Sequence, residues 1–144
     1  MNDFTEAFTQ QQLVNWFRSH GYVVIERCLD DPVQFYDITD CRTHDSHGID
    51  VVAKKGNELW IIEVKGETAG GRSAAVSNFH YGLGQILTRI FHISSHIHYA
   101  LAVPNTDNFA PMVRKIIKVQ PVLQTLNLSL ILVPGQHNLI FVDQ

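Results

Sequence analysis

The sequence is poor in the features that mark specialised classes of protein. Two of its 144 residues are cysteines, Cys28 and Cys41. That is too few for a disulfide framework, and they do not form a CxxC pair for zinc or redox chemistry. Charged residues make up 17%, and the 11 lysines and arginines are outnumbered by 14 acids, for a net charge of −3. The basic excess common in nucleic-acid-binding domains is therefore missing. No apolar run approaches the ~20 residues of a membrane helix. The opening MNDFTEAF lacks the basic-then-apolar order of a secretory signal. There is no internal repeat and no low-complexity tract. What is present, 45% hydrophobic residues, is ordinary for a packed globular chain. The expectation is one soluble, cytoplasmic domain spanning 1–144, with no membrane partner.

Periodicity gives the order of elements. Residues 3–20 read as an amphipathic helix, with Asp3 and Glu6 as a capping box and Leu13, Val14, Trp16 and Phe17 as its apolar positions. YVVIE (22–26) is a β-branched strand. From Cys28 to His47 periodicity fades and acids accumulate, which reads as a long surface loop or a poorly regular excursion, unusual in a small domain. Two strands, 48–54 and 58–65, follow around Gly56-Asn57, and a glycine-rich link leads to a helix over 74–94. That helix carries Val76, Phe79, Leu83, Ile86, Ile90 and Ile93 at spacings of three and four. A strand at 97–103, a helix from about 107 to before Pro121, and a closing hairpin (128–133 and 139–142 around PGQHN) complete the chain.

The chemistry concentrates in GIDVVAKKGNELWIIEVKGE, residues 48–67. A two-residue turn at Gly56-Asn57 sets Asp50 opposite Glu63, with β-carbons roughly 4.5–5.5 Å apart on one face. Lys65, two residues beyond Glu63, shares that face and would pair with Gly48. Facing carboxylates repel, and a divalent cation between them removes the conflict. All-oxygen ligands favour Mg²⁺ or Mn²⁺ over zinc. With a lysine beside them, they make a centre suited to phosphodiester hydrolysis. The bland alternative is an acid at a strand end beside an exposed charged rung. The apolar neighbours argue for more: Val51, Ala53, Trp60, Ile62 and Val64 on one face, and Val52, Leu59 and Ile61 on the face of the acids. Strands apolar on both sides are normally covered by helices on both sides.

This segment resembles the PD-(D/E)xK nuclease superfamily, with Asp50 as the first acid, Glu63 as the second and Lys65 as the lysine; Ile49 stands where the motif name has proline. The resemblance implies an α/β, restriction-endonuclease-like fold, a central mixed sheet flanked by helices on both faces. It also implies a metal held by Asp50, Glu63 and the Val64 carbonyl. GIDVVA is similar to Mrr-type restriction enzymes. YGLGQIL (81–87), LAVP and the closing hairpin resemble, more loosely, the XisH-type element-excision controlling factors. RecB-like members carry a glutamine on the second helix, which points to Gln85; the tyrosine they often place one turn later is Arg89 here.

Other residues have two readings each. Gln85 lies in a polar stripe with Asn78, Tyr81, Arg89 and His92, which could equally be a solvated helix face. Glu6 is either an additional metal ligand or a capping residue. Arg72 either touches phosphate or sits in a plain connection. The pairs His44/His47 and His96/His98 lack further ligands for zinc. Arg114, Lys115 and Lys118 suit a solvated face or a basic one. Lys54, Lys55, Lys65, Arg72 and Arg89 could line a local basic cleft. The expected function is a Mg²⁺-dependent endonuclease acting on DNA, working as a homodimer so that two sites reach two strands. The alternative is a non-catalytic accessory or regulatory protein that keeps the fold to bind protein or nucleic acid, which the acidic charge balance favours.

Overall fold

A computed structural model describes residues 4–119, 121–135 and 138–142. These form a mixed sheet in the order β1-β2-β3-β4-β5-β6. The strands are β1 (Val23–Cys28), β2 (Ile49–Lys55), β3 (Glu58–Val64), β4 (Ile97–Pro104), β5 (Leu128–Val133) and β6 (Ile140–Val142). β1, β2 and β3 are antiparallel, β3, β4 and β5 parallel, and β6 returns antiparallel. The closing hairpin thus pairs as the sequence indicates; Gln136 and His137 at its turn lie outside the described residues.

The helices are α1 (Glu6–Ser19), α2 (Gly71–Leu87), α3 (Ala110–Val119) and the short α4 (Val122–Thr125). The two faces of the sheet bury different partners. Val51, Ala53, Trp60, Ile62 and Val64 pack with Leu13, Val14 and Phe17 of α1. Val52, Leu59 and Ile61 pack with Phe79 and Ile86 of α2 and Val113 and Ile117 of α3. This is the division of faces that strand alternation requires, and it makes the chain an α/β protein covered on both sides. Each fully buried Phe or Ile contributes about 1.5–3 kcal/mol.

Three expectations need correction. The first is the start of α1. Asp3 lies outside the described residues, and Thr5 is the N-cap, its hydroxyl accepting the Phe8 N–H. Glu6 is therefore the first helical residue and no capping-box partner. Second, α2 ends at Leu87 rather than near Ser94. Phe91 and Ile93 are exposed, although Ile90 still packs on the core. Third, of the two readings of 28–47, the surface loop gives way to the irregular excursion. Two 3-10 turns, Pro32–Gln34 and Ile38–Asp40, are started by Asp31 and Asp37 side chains that accept the N–H two residues on. They carry Ile38 and Cys41 into the core beside Cys28.

Candidate functional site

The β2–β3 ladder runs from Lys55↔Glu58 beside the turn to Val51↔Ile62, and one further rung sets Asp50 against Glu63. Gly56 supplies the positive φ of 59° that the turn needs. The two carboxyl groups lie on the α2 face, close enough for Asp50 to push the Glu63 carboxyl upward. Asp50 Oδ2 accepts the backbone N–H of Val64 at 2.8 Å, which fixes its direction along the end of β3.

Glu63 is 2% exposed. Burial, and then the neighbouring Asp50, push its carboxyl up to about 8, against the pull of Arg89. Arg89 Nε donates to Glu63 Oε1 at 3.2 Å. At neutral pH the acid is thus protonated, or held by a guanidinium. Two neighbouring carboxyl groups, one of them buried, disfavour being ionised together unless a positive charge lies beside them. With the adjacent Val64 carbonyl, Asp50 and Glu63 are oxygen donors of the kind that could hold Mg²⁺ or Mn²⁺. Among the described residues no group of three or more His, Cys, Asp or Glu side chains gathers to hold a metal.

Lys65 extends β3 by one residue, its N–H bonding Ala102 O at 3.0 Å. Its side chain crosses α2 at Gly82, where an added β-carbon would lie 2.9 Å from Lys65 Cγ and 2.7 Å from Leu101 Cδ1. The room for Lys65 therefore comes from Gly82 on the covering helix. Nζ ends 4.9 Å from the centre of the Tyr81 ring and 3.9 Å from Glu6 Oε1.

The start of α1 reaches this end of the sheet because of Gly66. A β-carbon there would collide with the backbone of Thr5 and Glu6, so only glycine lets the chain leaving β3 pass the helix. The Glu67 N–H then donates to Phe4 O at 2.7 Å, and its carboxylate is occupied by Thr106 and Asn108. Burial and then Asp50 raise the Glu6 carboxyl above its ordinary value, opposed by Lys65 and Arg27. Glu6 is thus an acid at the rim of the site.

Gln85 sits on α2 one turn from both Tyr81 and Arg89. Its Oε1 is buried and, among the described residues, has no hydrogen-bond partner.

Several candidates are not brought together. Lys54 and Lys55 lie at the hairpin end of β2, roughly 13 Å along the strand from Asp50. There Lys54 Nζ donates to Tyr36 O and Lys55 Nζ to His20 O. They cannot share a cleft with Lys65. Arg72 is exposed in the first turn of α2. Arg114, Lys115 and Lys118 form an exposed face of α3. His44 and His47 stack on each other, whereas His98 stacks on Trp60 and faces Glu58. Sequence reasoning misses Gln10, which is buried and donates to both Glu26 Oε1 and Asp50 O. Arg89 is visible in the sequence as a member of a polar stripe, at the family's tyrosine position and in a basic cleft, while its pairing with Glu63 is not.

No family model and no curated protein matches the chain. Among solved structures, a crystal structure of an XisH family protein from Nostoc punctiforme superposes with a TM-score of 0.52 at 16% identity. The match covers 94% of this chain and 98% of that one. The two share a fold. At this identity the likeness extends to architecture and leaves the chemistry to be argued from the residues. No helix among the described residues is long and apolar enough to cross a membrane.

Proposed function

We propose that this chain is a Mg²⁺- or Mn²⁺-dependent nuclease with a restriction-endonuclease-like fold, hydrolysing phosphodiester bonds in DNA in the cytoplasm. One observation carries the reading. A buried Glu63 and Asp50 meet on one face of the sheet, with Lys65 next along the same strand. That is an expensive arrangement to keep for stability alone. The resemblance of 48–67 to restriction enzymes supports DNA as the substrate class, and the XisH-like architecture is compatible with it.

In this mechanism Asp50, Glu63 and the Val64 carbonyl would hold the cation, which would supply activation of a water and polarisation of a phosphoryl oxygen. Asp50, fixed by the Val64 N–H, sets the direction of the site. Lys65 presents its ammonium beyond Gly82, where it orients the attacking water and offsets charge growing on the phosphate. The buried Oε1 of Gln85 on α2, which has no partner among the described residues, is a further oxygen available to a ligand. Pairing of two copies would place two sites on two strands.

A second reading, a non-catalytic accessory protein, is favoured by one specific contact: Arg89 already balances Glu63. The test is cleavage of duplex, branched and single-stranded DNA with Mg²⁺ or Mn²⁺, by wild type and by Lys65→Ala. Metal-dependent cleavage that Lys65→Ala loses, while its metal-induced rise in melting temperature persists, supports the nuclease. Metal binding without cleavage of any substrate supports the accessory protein.

A further inference from the structure

We propose that Arg89 is a built-in counter-cation that competes with divalent metal for Glu63, so that the site loads only when this guanidinium is displaced. The proposal rests on the metal-site reading above and concerns how that site is regulated. Arg89 Nε lies 3.2 Å from Glu63 Oε1, on a carboxylate side chain that is 2% exposed, while the arginine side chain itself is 35% exposed. One end of the contact is therefore in the protein interior and the other at the solvent boundary.

A metal on Glu63 needs a carboxylate oxygen at about 2.0–2.1 Å for Mg²⁺. That would place a double positive charge within a few ångströms of the guanidinium, where like charges repel strongly. Lys65 does not play this role, because its ammonium is turned to Glu6 and Tyr81.

Arg89 can leave without disturbing the helix. It lies past the end of α2, in a turn where its N–H bonds Ile86 O and its carbonyl accepts from Phe91. Phe91 beyond it is exposed. Rotation of one long side chain is enough, and a released guanidinium is well suited to a phosphate oxygen.

The test has two readouts other than activity. Calorimetric titration with Mg²⁺ should give a Kd about tenfold lower for Arg89→Gln than for wild type, the scale of a half-buried ion pair. In wild type, which needs no variant to fold, the ¹⁵N-resolved Arg89 Nε–H resonance should shift or broaden as Mg²⁺ is added. If wild type binds Mg²⁺ while that resonance stays in place, or if Arg89→Gln binds no more tightly, the counter-cation role is overturned and the Asp50–Glu63 site stands. If neither protein binds Mg²⁺, both readings fall.

Discussion

Replacing Asp50 by asparagine should make the metal-free protein more stable, and chiefly at alkaline pH. Glu63 has its carboxyl raised from 4.5 to about 8, so the folded state holds the proton more tightly than the unfolded chain. Its favourable contribution is complete below pH 4.5 and is lost as pH rises through about 8. At about 1.36 kcal/mol per pH unit, that span corresponds to about 5 kcal/mol by pH 9. Burial is the largest cause and Asp50 the next, so removing the Asp50 charge returns a minority of it, about 2 kcal/mol. The amide of Asp50→Asn can still accept the Val64 N–H through Oδ1 and can donate through Nδ2 to Glu63, replacing repulsion with a hydrogen bond. For a chain of this size that gain raises Tm by about 6 °C. The assay is thermal unfolding of both proteins in chelator from pH 5 to pH 9. The expected difference is small at pH 5 and about 6 °C at pH 9. Equal or lower stability of Asp50→Asn at pH 9 would refute the reasoning, as would a gain that does not grow with pH.

Two glycines should prove as restrictive as the acids. Gly66→Ala drives a methyl group into the α1 backbone; a loss of at least about 3 kcal/mol in urea unfolding is expected, together with exposure of the α1 face. Gly82→Ala meets Leu101 and the Lys65 stem. It should cost about 1–3 kcal/mol and depress cleavage further than stability alone explains, because Lys65 is pushed off its course; unchanged cleavage would remove Lys65 from the mechanism.

The parts of the fold that follow from short-range rules are legible in the sequence. The Gly56-Asn57 turn fixes the β2–β3 register, and alternation of apolar residues then assigns both faces, so Asp50 and Glu63 have to meet. The end of α2 is not legible. Ile90 and Ile93 continue the helical spacing and no proline or glycine interrupts it, yet only Ile90 finds core to pack against. At the start of α1, Asp3 and Glu6 satisfy the capping-box pattern, while it is Thr5 that takes the Phe8 N–H. The Glu6–Lys65 and Arg89–Glu63 contacts depend on how helices pass strand ends. For Glu6 and Lys65 that geometry is set by Gly66 and Gly82 through long-range packing, which no local pattern encodes.

The most direct measurement is anomalous diffraction from crystals soaked in Mn²⁺. The expected result is a peak within about 2.2 Å of oxygens from both Asp50 and Glu63 and near the Val64 carbonyl, with the Arg89 guanidinium moved off Glu63. Peaks confined to other places, with Arg89 still bonded to Glu63, would contradict the account.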